Sequence, residues 1–189
     1  MSSNVKKLTL SAMFLALGLV LPLLTGQIQQ IGNMLLPMHL PVFLCGLICG
    51  WRYGAAVGFI TPPLRSLTFG MPPMYPTAIA MAFELAVYGG VAGFLYGRSR
   101  WQCVRAIYRS MIAAMLAGRI VWGAAEVVLL GMQGSAFTWR AFLAGAFLNA
   151  IPGIILQLVL IPAIMIALNK TGLVPFHKEE PSPVRADAG

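Results

Sequence analysis

Three ionisable side chains, Glu84, Arg119 and Glu126, stand inside otherwise apolar runs of this chain. A charged group at bilayer depth costs roughly 3 kcal/mol or more on insertion scales, so such residues are retained where they pair with one another or serve a ligand. Arg119 and Glu126 are seven residues apart, about two turns of helix, and therefore share a face. A guanidinium grips two carboxylate oxygens through its planar fork, and a carboxylate accepts hydrogen bonds from hydroxyl or amide donors. Two readings stand side by side. In one, Arg119 and Glu84 form a structural lock, with Glu126 as a second partner of Arg119. In the other, these groups contact a small molecule. Trp122 lies between Arg119 and Glu126 in sequence and offers either a stacking surface or plain packing. Asn149 is either a ligand contact or a bond to a neighbouring helix backbone.

The elements that must position these residues are set by composition. The chain has 189 residues, 59% hydrophobic and 10% charged, where a soluble domain carries about 25% charge. Its mean hydropathy is +0.82. It reads as an integral membrane protein. The basic start MSSNVKK is followed by an apolar run to Leu24 without a small-residue cleavage site, so the first span is expected to be retained. Cys45 and Cys49 sit in an apolar run with no His or acid to complete a metal site, and read as small buried hydrophobes. No metal or cofactor is expected.

A span needs about 20 apolar residues, fewer inside a bundle. Six are expected: Leu8–Thr25, Met38–Gly50, Tyr53–Phe69, Pro76–Gly97, Arg109–Gly131 and Ala141–Asn169. Pro62 and Pro63 are expected to break or kink the third near its end. With the N-terminus inside, ten Lys and Arg fall on the cytoplasmic side and two, Arg65 and Arg140, on the outer side. The positive-inside rule therefore gives an N-in, C-in, all-α membrane protein. The net charge of +8 is topological, which removes nucleic acid as a partner. Residues 1–170 form the membrane domain, and 171–189 a polar cytoplasmic tail, expected to be disordered. Trp51, Trp101 and Trp139 read as interfacial anchors.

Small residues recur four apart: Gly46, Gly50, Gly54 and Gly58, with an inner turn interrupting them, and Gly89, Gly93 and Gly97. Such spacing lets helix backbones approach closely in lipid. Ala12 and Ala16 make a similar pair on span one, for internal packing or as a smooth face for a partner helix.

In this topology Glu84, Glu126 and Asn149 lie in the outer half of the membrane, with Arg119 and Gln157 near its middle. The loops QIQQIGN and FGMPPMYP close the same side, bordered by His39 and Arg65. His39, between Pro37 and Pro41, reads as an interfacial hydrogen-bonding residue. The double-proline loop with Met71, Met74 and Tyr75 is expected to form a stiff, apolar lid, and the first outer loop, with Gly26 and Gly32, a moving gate. A one-sided polar cluster fits an outward-opening binding site. An ion pathway would need polar groups down to the inner face.

The run LPMHLPVFLCGLICGWRYGAAVGF, followed by FGMPPMYPTAIAMAFELAVYGGVAGFLYG, resembles the substrate-binding S components of energy-coupling factor (ECF) vitamin transporters over about residues 5–170. The turn GWRYG and the pair in SAMFLA match as well. The resemblance implies a six-helix bundle holding ligand near the outer surface. It implicates Glu84, Tyr88, Arg119, Trp122, Glu126 and Asn149 in substrate binding. It also implies that the Ala12 and Ala16 face docks on a membrane coupling subunit, with two cytoplasmic ATPase subunits completing the transporter. The chain itself has no G-x-x-x-x-G-K-[ST] phosphate loop.

The expected function is thus a non-catalytic specificity subunit of an ATP-driven importer in the bacterial cell membrane. Its ligand is a vitamin or vitamin precursor. Pantothenate is the first candidate because Arg119 suits a carboxylate; riboflavin, folate and pyridoxine-like compounds stay open. The alternative is a stand-alone facilitator or channel for a small metabolite. A membrane enzyme finds no support, since no Ser/His/Asp constellation or HExxH motif occurs.

Overall fold

The computed structural model describes residues 3–25, 37–132 and 151–176. Among these there are six α-helices and no strand: α1 (Ser3–Val20), α2 (His39–Cys49), α3 (Trp51–Phe69), α4 (Ile79–Gly97), α5 (Val104–Met132) and α6 (Ile151–Lys170). A short tight helical turn, Leu21–Thr25, continues α1, and a wider one, Met74–Ala78, leads into α4. Four segments are long and apolar enough to cross a membrane: Asn4–Leu23, Met74–Gly97, Val104–Met132 and Ile151–Lys170. α2 is apolar but shorter. The first outer loop, Trp139, Asn149, the expected start of the sixth span and the tail beyond Phe176 lie outside the described residues.

The α4 helix is the centre of the packing. It lies against α2, α3 and α5, while α1 rests on α2 and α3, and α6 on α5 and α2. Half of the apolar stretch Met74–Gly97 is buried inside the protein, against 22% for the first segment. Small residues make this possible. A methyl group added at Gly46 would strike the Gly89 carbonyl oxygen, and one at Gly54 would come within 2.5 Å of the Gly46 Cα. Three backbones, those of α2, α3 and α4, thus meet without side chains between them, the close approach that small residues allow in lipid. Gly97, from the same sequence ladder, has nothing within 4 Å and takes no part.

The turn between α2 and α3 is a single residue, Gly50, at φ 100° and ψ 168°. L-residues with a Cβ avoid this region, so the tight reversal requires glycine. The prolines of α3 do not end it: Pro62 and Pro63 lie inside a helix that runs on to Phe69. Each proline removes a backbone donor and crowds the carbonyl four residues before it, yet the helix continues through both. Chain direction changes instead at Gly70, in the left-handed conformation, whose N–H donates to the Ser66 carbonyl at 2.9 Å.

α5 starts earlier than expected, at Val104, and its 29 residues make about 43 Å of helix, longer than the roughly 30 Å hydrocarbon core. Its basic first turns, with Arg105 and Arg109, extend past the apolar stretch. Thr171–Phe176, assigned to the tail from sequence, turns back on the bundle. Gly172 takes a positive φ of 73°, the Phe176 N–H donates to Asn169 Oδ1 at 2.9 Å, and Val174 and Phe176 pack against the core. Apolar side chains in this short piece have surface to cover, which the polar residues after it lack.

Cys45 and Cys49 are buried free thiols, and the Cys45 Sγ donates to Ser11 Oγ of α1 at 3.6 Å.

Candidate functional site

The site grows from two helix faces. On α4, Glu84 and Tyr88 are one turn apart and both buried. On α5, the buried residues Gly118, Arg119, Gly123 and Glu126 follow the helical repeat along the side that meets α4. Because α4 and α5 run antiparallel and touch along their length, Arg119 arrives beside Glu84. Its Nη1 lies 2.9 Å from Glu84 Oε1, with both side chains more than nine-tenths buried. The lock that the sequence left open is therefore made, and it is made with Glu84. Among the described residues no ion pair joins Arg119 to Glu126.

α2 adds what sequence reasoning placed elsewhere. His39 is 1% exposed, so it is turned into the protein rather than toward its surface. Its Nε2 lies 3.8 Å from Glu84 Oε1, and its ring sits 5.1 Å from that of Tyr88 at a tilt of 57°. One turn on, Phe43 stacks against the other part of Tyr88, centroids 5.1 Å apart. Pro41 is tolerated in its first turn, and His39 falls on the face that meets α4. The signal was present as a lone polar residue in LPMHLPVF, but nothing in the sequence said which helix it would face.

Tyr88 also lies against Gly118. A Cβ there would come within 2.6 Å of Tyr88 Cε1, so the ring lies directly on the α5 backbone. The aromatic pair Phe43 and Tyr88 thus forms a fixed wall beside the charges. Trp122 is half-buried on α5, between Arg119 and Glu126.

The polar groups are unequally satisfied. Arg119 Nε and Nη2 are buried with no hydrogen-bond acceptor among the described residues, and so is Gln157 Nε2 on α6. Buried donors without acceptors are costly. Such groups in a membrane protein mark where a ligand atom or water belongs. Glu126 is buried too, at 6% exposure. Among the described residues no set of three or more metal-ligating side chains assembles. What the arrangement offers is recognition: donors from a guanidinium, an acceptor carboxylate and an aromatic wall.

Two expected neighbours of the site do other work. Arg65 is buried, and its Nη1 donates to the Leu19 carbonyl at 2.7 Å, tying α3 to the end of α1. Tyr75, in the double-proline connection, donates its hydroxyl to the Leu129 carbonyl near the end of α5. Asn149, the remaining expected contact, lies outside the described residues. Ala12 and Ala16 are exposed on α1, on the side away from buried Ser11, Phe14 and Gly18.

With this geometry in hand, the comparisons are specific. The family described as ECF transporter, substrate-specific component, matches the chain over residues 6–165. The thiamine precursor transporter HmpT of Lactococcus lactis subsp. cremoris (strain MG1363) is 29% identical over 178 residues, covering 92% of this chain and 93% of that protein. No solved structure matches.

Proposed function

Because the chain belongs to the family of ECF transporter substrate-specific components, a membrane-embedded, vitamin-type substrate-binding subunit, we propose that it captures a thiamine precursor or a close chemical relative for import. The substrate class follows the relative's name. The observation that carries the binding site is Arg119: a guanidinium spent in part on Glu84 and left with two buried donors that meet no acceptor among the described residues. In this reading a ligand acceptor meets those donors, Glu126 receives a ligand donor, Tyr88 and Trp122 supply the aromatic wall, and Asn149 completes the site. Pantothenate, which Arg119 suggested from sequence, has no support, since Glu84 already occupies the charge that a carboxylate would need.

Six membrane crossings with both termini inside the bacterial cell complete the proposal. The exposed Ala12 and Ala16 on α1 give a smooth helical face, and small residues of this kind suit contact with another membrane helix. We assign that face to the coupling subunit, with ATP hydrolysis by two cytoplasmic partner subunits.

The test is native mass spectrometry of detergent-purified protein, with identification of any co-purifying compound, followed by titration with thiamine precursors. A stoichiometric precursor, or saturable binding of one, supports the proposal. An empty protein that no vitamin or precursor stabilises removes it.

A further inference from the structure

Glu84 and Glu126, both buried, are the only acidic residues before position 179. Every exposed charged side chain among the described residues is therefore basic. The densest group is RSRWQCVRAIYR, residues 98–109, where α4 ends and α5 begins. Arg98, Arg100, Arg105 and Arg109 are all exposed there, and the ion pairs of the described residues belong to Glu84 instead. Topology asks for Lys or Arg near the membrane ends. It does not ask for four guanidinium groups within twelve residues and no lysine among them. The α2–α3 turn packs at the same end, since a Cβ on Gly93 would come within 2.8 Å of the Trp51 Cα, and it carries Arg52 alone. Nor does local structure account for the group: Arg105 stands in the first turn of α5, the positive end of the helix dipole, where a cation is unfavourable.

The α4–α5 turn is firmly built. Ser99 Oγ donates to the Leu95 carbonyl at 2.9 Å and accepts from Arg109 Nη2 at 3.2 Å, which fastens the start of α5 to the end of α4. The Arg98 guanidinium lies 5.9 Å from the centroid of the Phe94 ring. The fold thus orients two of the four guanidiniums. Trp101, in the middle of the run, is 60% exposed, an amphipathic ring of the kind that sits at headgroup level. We propose that this turn binds the phosphate of an anionic phospholipid. Guanidinium forks take phosphate oxygens in pairs, which an ammonium cannot. A headgroup with its own choline or ethanolamine brings a cation toward the arginines; a headgroup without one does not. The exposed apolar faces of α4 and α5 that continue from the turn, at Phe94 and Ile112, receive the acyl chains. That continuity favours a lipid over an acidic protein segment.

The experiment is native mass spectrometry of the purified full chain in detergent with an equimolar mixture of dioleoyl-phosphatidylglycerol and dioleoyl-phosphatidylcholine. The expected result is retention of phosphatidylglycerol at least about fivefold over phosphatidylcholine. Arg100→Gln with Arg105→Gln is expected to bring that ratio within about twofold. Arg52→Gln with Lys170→Gln removes the same charge elsewhere and should leave the ratio near its original value. Arg100→Lys with Arg105→Lys keeps the charge but loses the fork, and should fall between. Equal retention of the two lipids overturns the site. So does an equal loss of preference in both glutamine pairs, which would make the effect one of diffuse surface charge. A preference untouched by Arg100→Gln with Arg105→Gln overturns it as well, and loss of co-purification with the coupling subunit in that variant would then assign the turn to a protein partner.

Discussion

Arg119 Nη1 of α5 and Glu84 Oε1 of α4 meet at 2.9 Å inside the bundle, and the contact ties the two helices beside the two Arg119 donors that meet no acceptor among the described residues. A buried ion pair is poor evidence of stability, because desolvation offsets most of the attraction. Removing one partner alone is costly, since it strands the other charge. Under the proposed binding role, structure and binding are entangled at Arg119, and single substitutions there report on both.

Arg119→Ala is expected to destabilise the protein by about 3–5 kcal/mol, through the carboxylate left behind at Glu84. Combining it with Glu84→Gln should recover most of the lost stability without restoring ligand binding. Thermal unfolding in detergent, read beside calorimetric titration, separates the two effects. A double variant as unstable as Arg119→Ala would show that the pair is not the source of the loss.

Gly89→Ala places a methyl group against the Gly54 carbonyl, where α3 and α4 touch backbone to backbone. Overpacking of this kind costs about 1–3 kcal/mol. Gly97→Ala, where nothing lies within 4 Å, is expected to be neutral or to stabilise by about 0.5–1 kcal/mol through the unfolded chain. Melting temperatures of the two variants check the contrast, and similar values would reject the account of the packing.

Tyr75→Phe removes the hydrogen bond from the double-proline connection to the Leu129 carbonyl. A net loss of about 1 kcal/mol at the edge of the site should appear as a severalfold faster ligand release, with folding intact. Stopped-flow displacement of bound ligand measures it. An unchanged release rate means that this connection does not hold the site closed.

Ala12→Leu and Ala16→Leu fill the smooth exposed face of α1, away from Glu84 and Arg119. Ligand affinity should stay the same, while co-purification with the coupling subunit and cellular uptake fall sharply. Intact uptake in both variants would reject this face as the docking surface.

The sequence by itself determined the apolar, all-helical character of the chain and the rarity of charge within it. Lipid-facing helices need long apolar runs, and Glu84, Arg119 and Glu126 stand out against them whatever the packing. Small residues four apart marked the close contacts among α2, α3 and α4, because spacing along one helix is local information. Tertiary structure decided which groups face one another. A helical repeat tells that Arg119 and Glu126 share a side of α5; it cannot tell that antiparallel packing on α4 brings Glu84 to Arg119. Nor does it show that α2 turns His39 toward them, with Phe43 stacked on Tyr88. Partner choice between helices depends on register and rotation, and these are fixed by backbone contacts such as Gly46 on Gly89, which join positions far apart in the chain.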